Sequence, residues 1–175
     1  MEPALVTPAT AALWFLPFVL PICIWAAWSD MKYLKIPNAA VLALTGVYLV
    51  VGPIALPLDD YLWRLLHLVV VLVIGFVLNM ARLIGAGDAK FAAAMAPFIA
   101  REDALEMMLF FAAVLIAAFL THRLFQSSKA FRRMTEGWES WDTKDFPMGL
   151  ALGSVLVFYL VMVVRYGVGT PLSGG

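Results

Sequence analysis

The chain has 175 residues, of which 63% belong to the hydrophobic set and only 14% are charged, with a mean hydropathy of +0.91. A water-soluble domain is about half apolar and about a quarter charged, so this excess excludes an ordinary soluble globule and requires a bilayer as solvent. Twelve basic residues balance twelve acidic ones, which gives no electrostatic reason to expect a nucleic-acid partner.

The length suits a single domain over residues 1–175, with room for several spans of about 20 residues each. The first apolar run, residues 8–28, carries Pro17 and Pro21, which should kink it. No Lys or Arg precedes this run, and the first base is Lys32. It therefore reads as a retained span rather than a cleavable signal, which needs positive charge in front. The single cysteine, Cys23, lies within it and can form neither an intrachain disulfide nor a paired-cysteine motif. A second span is expected over 38–55, ending near Pro53 and Pro57, and a third over 61–83. The fourth apolar stretch, 89–100, is short and alone would suit a tilted or re-entrant segment. A fifth span follows over 105–122 and a sixth over 147–166. The expected fold is an all-α bundle of six transmembrane helices.

The Lys/Arg distribution gives an orientation. With the N-terminus outside and six crossings, Lys32, Lys35, Arg82, Lys90, Arg123, Lys129, Arg132, Arg133 and Lys144 fall inside, leaving Arg64, Arg101 and Arg165 outside. If the fourth segment failed to cross, the bases of the 123–146 loop would move outside and the asymmetry would collapse. That loop is then cytoplasmic. Its Phe131, Met134, Trp138 and Trp141 recur at helical spacing, predicting an amphipathic helix on the membrane surface.

Most acidic residues have ordinary explanations. Asp59 and Asp60 fall in the short loop before the third span, and Glu102, Asp103 and Glu106 at the start of the fifth, where acids suit helix N-termini. Glu136, Glu139, Asp142 and Asp145 belong to the loop, where they could attract a basic peptide. Asp30 and Asp88 differ. Asp30 follows the first span, Asp88 opens the fourth, and the intervening hairpin returns the chain to one membrane face. Ionisable groups so placed in a bundle are functional candidates, although each also suits a helix-end acid or a partner of Lys32 or Lys90. Gly85 and Gly87, just before Asp88, give a backbone that another chain can approach closely. Two neighbouring carboxyls share one proton, so one can act as general base on water while the other acts as general acid on a carbonyl. Such chemistry needs no metal and no cofactor, and none is expected. His67 and His122 read as packing or interfacial residues, and no serine-nucleophile or zinc-protease motif appears.

Gly85-Ala86-Gly87-Asp88 followed by Lys90 resembles the Gly-x-Gly-Asp-x-Lys signature of the bacterial type IV prepilin peptidases. Asp30 followed by Ile36-Pro37-Asn38 is similar to that family's first-aspartate motif, and Pro147-Met148-Gly149 to its segment opening the sixth span. The resemblance implies an aspartic endopeptidase of the bacterial inner membrane, with Asp30 and Asp88 as the catalytic pair. Its substrates would be the leader peptides of prepilins and pseudopilins, cut at the cytoplasmic face. The chain looks like the short form associated with tight-adherence (Flp-type) pili. Longer members carry an extra cytoplasmic region with paired cysteines and also N-methylate the product, so peptidase activity without methyl transfer is implied here.

The supporting residues have structural readings as well. Pro37 and Asn38 suit a helix start, Lys90 either snorkels to phosphates or holds the charge of the pair, and Pro147 and Gly149 shape the sixth span and leave backbone groups for a substrate strand. Asn79 reads as an interhelical hydrogen-bonding residue. Two other functions are compatible with the residues alone. A small transport or proton-conducting protein would use the same acids in flux, and a non-catalytic assembly factor would not need them.

Overall fold

The computed structural model describes residues 5–169. Its elements in chain order are β1 (Leu5–Pro8), α1 (Ala9–Tyr33), α2 (Asn38–Ala55), α3 (Leu58–Met80), α4 (Ala86–Met95), a 3₁₀ turn (Ala96–Phe98), α5 (Ala104–Ser127), α6 (Lys129–Met134), a second 3₁₀ turn (Glu139–Trp141), α7 (Met148–Tyr166) and β2 (Gly167–Val168). Among the described residues, five helices, α1, α2, α3, α5 and α7, are long and apolar enough to cross a membrane. The protein is a multi-pass membrane bundle.

Helix ends depart from the sequence expectations in particular ways. α1 runs through Pro17 and Pro21 and on to Tyr33, so Asp30 sits inside the helix instead of beyond it. α3 starts at Leu58, which places Asp59 and Asp60 in its first turn. α5 continues to Ser127, past the expected end at 122. The 123–146 stretch is not one amphipathic helix. Its first residues, 123–127, are the end of α5, Lys129–Met134 forms a separate short helix, and the break follows at Gly137, with φ +81°. The aromatic residues meant for one stripe instead cluster, Trp138 stacking on Trp141 at 5.8 Å and Phe131 meeting Trp141 edge-on. Met134 points away, 84% exposed. The cluster lies over the end of α5, where His122 stacks on Trp141 at 5.1 Å. Arg123 donates to the Lys144 carbonyl, and Gln126 donates to those of Trp141 and Thr143.

α1 and α7 form the spine of the bundle, antiparallel and in close contact. A Cβ on Gly153 would lie 2.9 Å from the Cys23 carbonyl oxygen, and one on Gly149 would lie 2.9 Å from the Cβ of Asp30. Small residues let helix backbones approach in lipid, where packing replaces the hydrophobic effect as the driving force. The start of α1 and the end of α7 consequently lie side by side, and there β1 and β2 pair in parallel, Leu5 opposite Gly167. Nothing in the sequence pattern anticipated this small sheet. By contrast, only 6% of the most apolar stretch of α5 is buried inside the bundle, so lipid is its solvent.

Near the β1 end, Phe15, Tyr48 and Phe98 pack as a fully buried aromatic cluster, with Phe15 and Phe98 edge-to-face at 4.9 Å and Tyr61 stacked on Tyr48 at 5.4 Å. Beside it lies a buried polar network around Asp103. This residue does not cap α5, contrary to expectation. Its carboxylate accepts from the Val6 N–H at 2.8 Å, the Thr7 hydroxyl at 3.1 Å and the Tyr159 hydroxyl at 2.7 Å, while Arg64 donates to the Thr7 hydroxyl oxygen. Asp103 is 2% and Arg64 4% exposed. A buried carboxylate with these partners is costly to delete, since each donor left unpaired loses its compensation for desolvation. Asp103→Ala should therefore destabilise the protein by on the order of 3 kcal/mol, read as a lower melting temperature in detergent, with Asp103→Asn milder. An unchanged melting temperature for the alanine variant would mean that the network carries no net stability.

Candidate active site

Three chain corners meet at the end of the bundle opposite the small sheet. The first is the α1–α2 corner. α1 stops where Leu34 adopts a left-handed conformation (φ 48°), its N–H returning to the Asp30 carbonyl at 2.8 Å. The Ser29 hydroxyl donates to the Lys35 carbonyl at 2.9 Å, fixing the turn, and Pro37 starts α2. The second is the α3–α4 corner. Arg82 takes φ 59°, and the Leu83 N–H bonds back to the Leu78 carbonyl at 3.0 Å, closing α3 in the manner of a Schellman cap. Asn79 donates from Nδ2 to the Ile84 carbonyl at 2.9 Å. It thus braces its own turn rather than bridging helices as expected. The third corner is residues 145–149, at the start of α7.

Between these corners lies a cavity of about 690 Å³, lined by Asp30, Leu34, Lys35 and Ile36, by Asn79 and residues 82–88, and by Asp145, Phe146 and Met148. Asp30 and Asp88, far apart in sequence, both face it and are close enough to interact electrostatically. Asp30 is buried, 5% exposed, and Asp88 is half-buried in the first turn of α4. Asp30 is held from behind, where the Gly149 N–H donates to its Oδ2 at 2.7 Å. The N–H that was expected to be left for a substrate strand is therefore already engaged. Each glycine of the Gly-x-Gly-Asp stretch meets a different neighbour. A Cβ on Gly85 would come within 2.6 Å of Asp88 Oδ2, whereas one on Gly87 would find only Ile36, at an ordinary 3.5 Å.

The sequence-derived supporting residues sort themselves around this cavity. Ile36, Gly85 and Gly87 line it, and Gly149 lies behind Asp30. Lys90 and Asn38 are exposed and join each other, Nζ to Oδ1 at 3.3 Å, so Lys90 ties α4 to α2 and Asn38 caps nothing. Pro37 and Pro147 set the starts of α2 and α7. Sequence reasoning missed Gly75, on α3. A Cβ there would sit 3.0 Å from that of Ala89, the residue after Asp88, so Gly75 sets how closely α4 seats. A lone glycine in an apolar run carries no mark of this. It also did not single out Asp145 and Phe146 as cavity residues, because which part of the long loop folds back is decided by tertiary contacts.

A multi-pass bundle with two carboxylates facing one cavity at its end has the parts of a membrane-embedded aspartic hydrolase. The chain belongs to the type IV leader peptidase family, whose model matches residues 17–122, well over half of the chain and inclusive of Asp30 and Asp88. It is accordingly an aspartic-type endopeptidase of the prepilin peptidase family. No curated protein and no solved structure matches the chain at a significant level.

Proposed function

We propose that Asp30 and Asp88 are the catalytic pair, and that the protein removes leader peptides from Flp-type prepilins at the cytoplasmic face of the bacterial inner membrane. The observation that carries this reading is the shared cavity. Two acids from different helices are brought to it, one buried and hydrogen-bonded, the other half-buried at a helix start. In the reaction the ionised carboxylate takes a proton from water as the oxygen attacks the peptide carbonyl, and the protonated partner donates to the carbonyl oxygen. Collapse of the tetrahedral intermediate breaks the C–N bond: the leaving nitrogen takes up the proton first removed from water, and a gem-diol hydroxyl returns its proton to the partner carboxylate as the carbonyl re-forms. The pair ends as it began, holding one proton. Either acid can start as the base, because the pair titrates together.

The same reading includes six passes, with the N-terminus outside. α4 has 10 residues, about 15 Å of helix against a hydrocarbon core of about 30 Å. It nevertheless starts at the cavity, and its 3₁₀ exit leads to Ala100, whose N–H meets the Tyr159 hydroxyl in the Asp103 network at the opposite end. That path supports counting the segment as a short crossing. The antiparallel α1–α7 spine calls for an even number of passes, and Trp28 and Tyr33, flanking Lys32 at about 5 Å, suit an interfacial belt beside Asp30.

The test is to incubate the purified protein with candidate prepilins and read the product N-termini by mass spectrometry. One new N-terminus ahead of the hydrophobic segment is expected. Intact substrates throughout would remove the assignment of substrate.

A further inference from the structure

Among the loop acids Glu136, Glu139, Asp142 and Asp145, only Asp145 lines the cavity that holds Asp30 and Asp88. Asp142 is engaged elsewhere, paired with Arg132 at 2.6 Å. The backbone just before Asp145 is fastened to α5, with Gln126 Nε2 on the Thr143 carbonyl and Arg123 on the Lys144 carbonyl at 2.9 Å. A few residues beyond it, the Gly149 N–H holds Asp30. Asp145 therefore lies on a short segment pinned at both ends, one end being a carboxylate of the proposed pair. Its own carboxylate is exposed and makes no hydrogen bond or ion pair among the described residues. Lys35 and Arg82 line other parts of the same cavity, and neither is within ion-pairing distance of it. The residue lies outside the stretch matched to the family, 17–122, so family membership assigns it nothing.

An unpaired carboxylate at a fixed offset from the hydrolytic centre favours a positive charge in whatever chain occupies the cavity and disfavours a negative one. We propose that Asp145 is a specificity-determining residue that pairs with a cationic side chain of the substrate close to the scissile bond, an inference that rests on Asp30 and Asp88 being the peptidase pair. Asp145 does not take part in bond breaking. It selects the peptide and sets its register.

The test uses synthetic peptides spanning a prepilin processing site, carrying Lys, Gln or Glu at each position flanking the cleaved bond, with kcat/KM measured over a range of salt. With the wild-type protein, replacing the recognised Lys by Gln should lower kcat/KM by about five- to tenfold, with a shallower salt dependence. Asp145→Asn should cleave the Gln peptide at the wild-type rate and the Lys peptide no faster, while Asp145→Glu keeps the preference. Equal cleavage of the Gln peptide also shows that the Asn variant is folded. If Asp145→Asn still prefers Lys to Gln at every position, the inference is overturned and the peptidase assignment stands. If the wild-type protein cleaves none of the peptides, both fail.

Discussion

Asp30→Asn and Asp88→Asn should each slow leader removal on the order of 10³-fold, while both variants accumulate in the membrane at normal levels. Asparagine matches aspartate in size. At position 30 its carbonyl oxygen can still accept the Gly149 N–H that now bonds Oδ2, so the substitution removes the titratable oxygen without breaking the α1–α7 contact. Alanine at 30 would confound the experiment, because it leaves a buried N–H without a partner at a cost of about 1–3 kcal/mol. The double Asn variant should be little worse than either single one, since a pair that passes protons between its members fails as a unit. Processing by purified variants, followed by gel shift of the prepilin and by immunoblot for enzyme abundance, decides the matter. Either single variant working at the wild-type rate would take that carboxylate out of the chemistry.

Expecting the two aspartates to meet required only counting apolar runs. Transfer of long apolar segments to lipid is read over windows of about 20 residues, so α2, at Asn38–Ala55, lies where its hydropathy puts it, and α7 begins within a residue of expectation. The ends of α1 and α5 lay beyond that signal. α1 carries Ser29, Asp30 and Lys32 in its last turns and α5 carries Arg123 and Gln126. Hydropathy ends a span at such residues, but the backbone hydrogen-bond ladder does not. The Asp103 network was misread for another reason. An acid at a helix start is ordinarily a cap, and nothing local reveals that its oxygens are taken by β1 and by Tyr159 across the bundle. Likewise the loop aromatics do have helical spacing, but the break at Gly137 and the pull of His122 and Trp141 toward each other override it. The shared cavity of Asp30 and Asp88 was therefore legible where it depended on residue type and on the order of the apolar runs. It was illegible where it depended on which backbone N–H faces which carboxylate.

That last dependence gives the second large effect. Gly149→Ala should lower kcat by roughly 10- to 100-fold with little change in KM, because misplacing a reacting group by an ångström costs about that much. The added methyl would stand 2.9 Å from Asp30 Cβ, 3.1 Å from its Oδ2 and 3.1 Å from Ile36 Cδ1. The Ile36 methyl is a flexible tip and can yield, but the Asp30 Cβ is fixed to α1. Either α7 withdraws or the aspartate turns, and both lose the 2.7 Å hydrogen bond that aims it. Gly85→Ala presses on Asp88 Oδ2 itself, at 2.6 Å, and should act in the same direction. Gly87→Ala should behave oppositely. Its methyl would reach only ordinary contact with Ile36, and a helical alanine is about 0.5–1 kcal/mol better than glycine, so activity should stay within about threefold. The two glycines of one signature thus separate, the first constrained by the carboxylate and the second by nothing in the resting enzyme. Steady-state kinetics on the three variants, with melting temperatures as a control for folding, tests the ranking. A Gly87→Ala enzyme that folds normally but fails to cleave would show that the bound peptide needs the room at position 87, which would move substrate contact from the 145–149 segment to the start of α4.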